Sequence, residues 1–168
     1  MNKKQRPLPN IPIHLLNGQE IDPSTMGQNE LIRDIIVKLC PRYTPGGILL
    51  YISDTSEKFI VNEAQALADM GIDPNGKLPD VLVYYQEKDW LVIIEAVTSH
   101  GPVDLKQHNE LKKLFKPSQK GLVFVTAFPD RSRMTKYLTA IAWETEVWLA
   151  DKPDHLIHFN GEILLDPY

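Results

Sequence analysis

The stretch LPDVLVYYQEKDWLVIIEAVTS, residues 78–99, constrains the fold most, because two apolar runs flank a short polar segment and each run carries one acid. We interpret residues 79–86 and 90–99 as a β-hairpin that turns around 86–89. A connecting loop of two or four residues places Asp80 directly opposite Glu95, whereas a three-residue loop shifts the register. Facing side chains in an antiparallel pair have Cβ atoms roughly 4.5–5.5 Å apart. The sequence therefore predicts two neighbouring carboxylates at one end of this hairpin.

Around the hairpin, apolar strand patterns alternate with helical patterns. Apolar residues at helical spacing predict a helix over 28–40 that Pro41 and the Thr-Pro-Gly-Gly at 44–47 end, and GLVFVTAF predicts a buried strand over 121–128. The remaining predicted strands are 48–53, 59–61 (short), 146–150 and 155–159, and the remaining helices are 62–70, 103–116 and 130–142. Such a mixture is typical of an α/β sheet covered on both faces. Residues 1–27 show no period, so we expect an N-terminal arm or lead-in there and one domain over 28–168.

Composition narrows the function classes. A chain of 168 residues that is 43% hydrophobic and 24% charged fits one folded domain. The net charge of -4 gives no global sign of nucleic-acid binding, so that function would depend on local basic patches. The single cysteine, Cys40, excludes an internal disulfide and is expected to be a buried small side chain. No apolar run is long enough to span a membrane, and the N-terminus lacks a secretory signal pattern, so we expect a cytoplasmic protein.

The acid pair has two interpretations that the residues alone leave open. Carboxylates that meet at a sheet end repel each other unless a shared proton, a basic partner or a divalent cation neutralises them. Oxygen-only ligation suits Mg²⁺, which keeps several waters and accepts phosphate oxygens as further ligands, and such a metal assists phosphodiester cleavage. In the structural alternative, Asp80 merely begins a strand and Glu95 pairs with a lysine or a backbone donor.

Longer strings resemble a known family. Pro-Asp at a strand start, a hairpin and an acid within an apolar strand resemble the core of PD-(D/E)XK nucleases. More specifically, the chain resembles the BsuBI/PstI-type type II restriction endonucleases over about residues 28–168, in the strings NELIRDII, ILLYISDT, KLPDVLVYY, WLVIIEAVTSHGPVD, HNELKKLF, GLVFVTAFPDR, IAWETEVWLA and DHLIHFNGE. The resemblance implies a restriction-endonuclease-like mixed β-sheet flanked by helices. It also implies Mg²⁺-dependent hydrolysis of double-stranded DNA at a short palindrome, and members of the family are associated with CTGCAG.

Carried over by position, the resemblance assigns catalytic roles to individual residues. Asp80 and Glu95 would be the metal-binding acids, and Glu30 on the first helix would be a further carboxylate that orients the attacking water. The lysine of the motif should stand two residues after Glu95, where this chain has Val97. Lys106, in the first turn of the following predicted helix, is the nearest lysine that can reach back to the site. An ammonium there would orient the water and stabilise developing negative charge.

Local polar and basic residues predict where DNA would bind, and the resemblance predicts the partners. The candidate DNA contacts are Ser99, His100, Lys112, Lys113, Arg131 and Arg133. In the alternative interpretation the basic residues form solvated helix faces, and Ser99 and His100 cap a helix. Because a palindromic target has two-fold symmetry, we expect a homodimer. A restriction-modification system also implies a cognate DNA methyltransferase as genetic partner.

Two other functions remain open at this point. The family's proteins carry a sizeable region before this catalytic part, so the chain is expected to be a free-standing or truncated catalytic domain. That length and Val97 favour a catalytically inactive DNA-binding module, whereas a repair or mobile-element nuclease would cut by structure. The sequence contains neither the G-x-S-x-G motif of serine hydrolases nor the P-loop of nucleotide-driven enzymes. Trp143 and Trp148 are expected in core or dimer contacts, with base stacking as the lesser alternative.

Overall fold

One seven-stranded mixed sheet organises the protein, whose computed structural model describes residues 7–53, 59–97 and 103–161. The strands lie side by side in chain order: β1 (His14–Leu15), β2 (Ile48–Ile52), β3 (Val81–Tyr85), β4 (Trp90–Ala96), β5 (Gly121–Phe128), β6 (Thr145–Leu149) and β7 (Leu156–Phe159). Neighbours are parallel in β1–β2, β4–β5 and β5–β6, and antiparallel in the other pairs. The carboxyl ends of β4, β5 and β6 therefore meet at one edge of the sheet.

The hairpin β3–β4 has the register that the sequence predicts. Tyr85 pairs with Trp90 across a four-residue loop, 86–89, one of the two loop lengths that set Asp80 against Glu95. Asp89 closes the turn with a φ of 55°, in the left-handed region that Asp tolerates better than most residues. Lys120 Nζ also donates to Asp89 Oδ1 at 2.8 Å. The turn therefore holds the register from the end opposite to the acids.

The first helix extends beyond the predicted boundary. It comprises α1 (Glu30–Asp34), a π-helical turn (Ile35–Leu39) and α2 (Cys40–Tyr43), so the prediction that Pro41 ends the helix is wrong. In a regular helix the proline ring would clash with the carbonyl four residues earlier. Here the Cys40 N–H bonds to the Ile35 carbonyl five residues earlier, and we infer that this wider turn accommodates the ring.

Two apolar layers cover the sheet. On one face, helix residues such as Ile35 pack against Val83 and Ile94. On the other face lie α3 (Ala64–Asp69) and α4 (Leu105–Phe115). Their buried side chains Leu67 and Phe115 pack against the strand residues that alternate with those of the first face, such as Leu82. Burial of one such large side chain contributes about 1.5–3 kcal/mol. The expected sheet covered on both faces is therefore present.

Two predicted elements are shorter than expected. Residues 59–61 run beside β2, where Ile52 N–H donates to the Val61 carbonyl at 3.0 Å, but only an isolated bridge forms there, between Tyr51 and Asn62. The helix predicted over 130–142 is confined to α5 (Arg131–Thr135). Beyond α5, backbone N–H groups donate to carbonyls three residues earlier, as in turns, and Ala142 N–H bonds to the Val103 carbonyl at 2.9 Å instead. We infer that the helix ends early because this tertiary hydrogen bond and the burial of the Ile141 side chain stabilise a non-helical path.

Part of the predicted lead-in packs on the domain. His14–Leu15 forms β1 beside β2, and Ile13 and Met26 are buried in the core. Among the described residues, none of the helices combines the length and apolarity that crossing a bilayer requires.

The single thiol and the tryptophans occupy contrasting positions. Cys40 is 1% exposed and burial raises its pKa to about 12, as expected for a small apolar core residue. Trp148 is fully buried, and its indole N–H donates to the Pro153 carbonyl at 3.1 Å. Trp143 is 67% exposed, so its ring is not part of the core.

Candidate active site

The two acids meet at the open end of the β3–β4 hairpin. Asp80 directly precedes β3, and Glu95 is the penultimate residue of β4. They form the next pair of the hairpin register after Val81 and Ile94. Alternation along each strand places both side chains on the sheet face that α3 and α4 cover. The predicted juxtaposition of the two carboxyl groups is therefore present.

The Asp80 carboxylate is held by protein donors on both oxygens. Ser53 Oγ donates to Oδ1 at 3.0 Å, and the Ala96 backbone N–H donates to Oδ2 at 2.8 Å. A further bond joins the main chains, since Ser53 N–H donates to the Asp80 carbonyl at 2.8 Å. These neutral donors orient the carboxylate without cancelling its charge. Because each carboxylate oxygen has about two lone-pair positions, both oxygens retain capacity for another ligand.

Glu95 is strongly perturbed by its surroundings. Burial, then the negative charge of Asp80 and a hydrogen bond with its carboxylate, raise the pKa of Glu95 from 4.5 to about 8, against the opposing positive charge of Lys77. At neutral pH the Glu95 carboxyl therefore retains a proton that it shares in a hydrogen bond with Asp80. A proton and a divalent cation are alternative ways to neutralise such a pair.

The donor set fits a hard divalent cation. Among the residues that the structure describes, no group of three His, Cys, Asp or Glu side chains is placed to hold a metal ion, so the protein ligands would be the two carboxylates. Mg²⁺ is commonly held by one or two carboxylates, with waters and substrate phosphate oxygens as its other ligands. All-oxygen ligation does not favour zinc or copper. The chemistry of the pair is therefore compatible with the expected Mg²⁺.

A cleft of about 970 Å³ contains both acids and is bounded on one side by α4. Asp104 caps this helix, accepting the Gln107 N–H at 2.8 Å, and so fixes the first turn beside the cleft. Lys106, on that turn, lines the same cleft, and Lys77 lines it from the segment before β3. The cleft therefore combines the acid pair with two further carboxylates, Asp104 and Glu110, and with the ammonium groups of three lysines.

Val97 cannot supply the ammonium group that the motif expects two residues after Glu95. Its side chain is 2% exposed and packs with Phe128 and Ile141 in a third apolar cluster. Lys106 of α4, the alternative lysine named above, lines the cleft of the acids, as do Lys77 and Lys113.

Among the described residues, the sequence candidate Glu30 lies away from the acid pair. Glu30 is an exposed residue at the start of α1, whose apolar side packs on the opposite face of the sheet from the acids. The described residues that line the cleft do not include it. Ser99 and His100 lie outside the described residues.

The basic candidates for DNA contact are all exposed. Lys112 and Lys113 belong to α4, and Lys113 also lines the cleft of the acids. Arg131 and Arg133 belong to α5, which follows the carboxyl end of β5. Arg131 also lines a second cavity of about 370 Å³, together with Asp151, Lys152 and His155. Cationic groups therefore lie both at the cleft and farther along the same sheet edge.

Sequence reasoning missed Ser53 and Lys77. Ser53 is a polar residue at the end of the apolar run ILLYIS, and Lys77 stands three residues before Asp80. Proximity in sequence to the Pro-Asp pair was a usable signal for Lys77. Ser53 carries no local signal, since its contact with Asp80 spans 27 positions and depends on strand pairing.

Comparison with known proteins gives consistent matches. Residues 11–162 match the family described as BsuBI/PstI restriction endonuclease domain. The chain is 53% identical over 167 residues to "Type II restriction enzyme BsuBI" of Bacillus subtilis, covering 98% of this chain and 53% of that protein. It is 31% identical over 147 residues to "Type II restriction enzyme AplI" of Arthrospira platensis, covering 81% of this chain and 44% of that protein.

A solved structure shows the same fold. The structure of SdaI restriction endonuclease superposes with a TM-score of 0.79 at 42% identity, covering 94% of this chain and 50% of that chain. The expected restriction-endonuclease-like mixed sheet is thereby confirmed. The chain spans about half the length of the proteins that it matches.

Proposed function

Because this chain belongs to the BsuBI/PstI restriction endonuclease domain family, we propose that it is a type II restriction endonuclease that hydrolyses phosphodiester bonds of double-stranded DNA with Mg²⁺ as cofactor. The observation that carries the proposal is the meeting of Asp80 and Glu95 in an open cleft, where burial and then the negative charge of Asp80 raise the pKa of Glu95 to about 8. A divalent cation would neutralise such a pair of carboxyl groups. The match to the restriction endonuclease domain family supports hydrolysis of DNA as the reaction.

Three residues of the cleft have defined roles in this proposal. Asp80 and Glu95 would hold the cation, which when bound neutralises phosphate charge and lowers the pKa of water. Asp80 keeps its orientation through its two protein donors. Lys106 lies in the same cleft, where its ammonium group would orient the attacking water and stabilise the charge that develops on the phosphate.

We expect Lys106→Ala to lower the rate of DNA cleavage by about 10²-fold or more, because it removes a cation that acts on the developing charge. Affinity for uncleaved DNA should change little, since many other cationic groups contribute to binding. Single-turnover cleavage and a separate binding titration distinguish these effects. Lys77→Ala is the parallel variant, because Lys77 also lines the cleft and its positive charge lowers the pKa of Glu95.

The matched control for Lys106 is Lys116→Ala, which removes the same charge just beyond the end of α4 and outside the described lining of the cleft. It should cleave at the wild-type rate. Wild-type turnover in Lys106→Ala would remove Lys106 from the site, and a severe loss only in Lys77→Ala would transfer the role to Lys77.

We expect Arg131→Ala and Arg133→Ala each to weaken double-stranded DNA binding and to reduce the slope of log affinity against log salt concentration by about one unit, as loss of one phosphate contact does. Fluorescence anisotropy at several salt concentrations, without divalent cation, measures this. Lys88→Ala is the control, because its ammonium group lies 4.7 Å from the Trp90 ring centroid at the opposite end of the hairpin. An unchanged slope in both arginine variants would contradict contact by α5.

The test of the whole proposal is incubation of the chain with plasmid DNA and Mg²⁺. Discrete fragments support a restriction enzyme, nicking or smearing supports a structure-specific nuclease, and intact DNA supports an inactive DNA-binding module. CTGCAG is the first sequence to test, as the resemblance to the family implies.

We further propose a cytoplasmic homodimer that acts beside a cognate DNA methyltransferase, because a palindrome calls for two-fold protein symmetry and host DNA must be protected.

A further inference from the structure

Strand β2 contains a β-bulge close to the acid pair. Its register against β3 shifts between Leu49 and Tyr51, since Leu49 pairs with Val83 and Tyr51 pairs with Leu82. Leu50 is therefore the extra residue. A bulge of this kind redirects the side chains that follow it, and bulges are enriched next to active sites.

The bulge determines which residue of β2 lies beside Asp80. After the shift, Ile52 pairs with Val81, so Ser53 comes next to Asp80 and bonds to its carbonyl. If the register of Leu49 continued without the extra residue, Ile52 would occupy the position beside Asp80. An aliphatic side chain has no hydrogen bond to offer a carboxylate.

The bulge also selects the face of the sheet to which Ser53 points. Leu50 and Tyr51 both contribute to the apolar layer under α3 and α4, whereas Ile52 contributes to the opposite layer. Alternation then returns Ser53 to the face of the acids, and its hydroxyl reaches Asp80 Oδ1 at 3.0 Å. In an unbroken strand, Ser53 would point to the other face.

We propose that Ser53, placed by the bulge at Leu50, is a positioning residue for cation binding by Asp80. The hydroxyl holds one carboxylate oxygen while the Ala96 N–H holds the other, so the carboxylate is oriented before a cation arrives. Hydrogen bonds that orient a ligand typically contribute 10- to 100-fold to metal affinity. The inference rests on the proposed cation site at Asp80 and Glu95.

The experiment is a titration of the full chain with Mn²⁺ and no DNA, in which electron paramagnetic resonance or calorimetry measures the bound Mn²⁺. We expect Ser53→Ala to raise the Mn²⁺ Kd by about tenfold or more, and Ser53→Thr, which keeps the hydroxyl, to restore wild-type affinity. Ser53→Ala should also cleave DNA more slowly than the wild type at low Mn²⁺ concentration and approach the wild-type rate at saturating Mn²⁺. A variant with a damaged fold would remain slow at saturating Mn²⁺.

Ser24→Ala is the matched control, because Ser24 Oγ donates to Asp22 Oδ1 at 2.7 Å in a serine–aspartate pair away from the cleft. Its Mn²⁺ Kd should equal that of the wild type. If Ser53→Ala has the wild-type Mn²⁺ Kd, or if Ser53→Thr binds Mn²⁺ as weakly as Ser53→Ala, the proposed role of the hydroxyl is wrong but the cation site stands. A wild-type chain that binds no Mn²⁺ overturns the cation site, and with it this inference.

Discussion

Replacing either acid of the pair by its amide, as Asp80→Asn or Glu95→Gln, is expected to lower the rate of DNA cleavage by about a thousandfold or more. Each substitution keeps the shape of the side chain and removes one of the two anionic groups that would hold the cation. Loss of metal-dependent charge stabilisation removes several kcal/mol, and each 1.4 kcal/mol changes the rate tenfold. The measurement is single-turnover cleavage of plasmid DNA, with direct Mn²⁺ binding as a second readout.

Glu87→Gln is the matched control for these variants. Glu87 lies in the turn at the opposite end of the same hairpin, is exposed, and accepts the Tyr85 hydroxyl at 2.9 Å, a bond that glutamine can also accept. This variant makes the same Glu→Gln replacement as Glu95→Gln, outside the cleft, and should cleave normally. Cleavage by Glu95→Gln at the rate of Glu87→Gln would contradict the assignment of Glu95.

The second large effect concerns stability without divalent cations. Because the pKa of Glu95 is about 8 in the fold and 4.5 ordinarily, the folded chain retains a proton that the unfolded chain has released over that interval. The free energy of unfolding should therefore fall as pH rises from about 4.5 to about 8, by roughly 1.4 kcal/mol per unit of pKa difference. The contribution is complete below the lower value and lost above the higher one.

Denaturant unfolding in the presence of a chelator, from about pH 5 to about pH 9, measures this dependence. Glu95→Gln cannot release the proton, so its stability should decline less over the interval and exceed that of the wild type at the alkaline end. When Mn²⁺ replaces the chelator, it should stabilise the wild type by about 2.7 kcal/mol at one hundred times its Kd, and it should not stabilise the variant. Parallel curves for the two proteins would contradict a shared proton between Glu95 and Asp80.

The pairing of the acids could be predicted from the sequence because it depends on local features. The apolar runs define β3 and β4, and the QEKD turn between them has a length that sets the register. The bounds of β5 were also predicted correctly, because GLVFVTAF is a continuous apolar run between polar turns. Register in a hairpin requires only neighbouring residues, so a single sequence contains enough information.

Other features depend on contacts that the local pattern does not record. The bulge at Leu50 lies in an apolar run without glycine or proline, so nothing in ILLYIS marks it, and the contact of Ser53 with Asp80 could not be predicted. The helix also continues through Pro41, with a wider π-helical turn before it that nothing in the apolar pattern marks. The early end of α5 depends on a bond between Ala142 and Val103, which are far apart in the chain.

The interior position of Cys40 has a practical consequence for studying the protein with spectroscopic probes. The chain has one cysteine, and its thiol is both shielded from solvent and protonated throughout the usual pH range. Maleimide and nitroxide reagents react with thiolates, so the folded chain offers them almost no native target. A cysteine introduced at an exposed position outside the described lining of the cleft, such as Lys116, would therefore carry the label alone, and distances from the end of α4 to DNA could be measured without first removing Cys40.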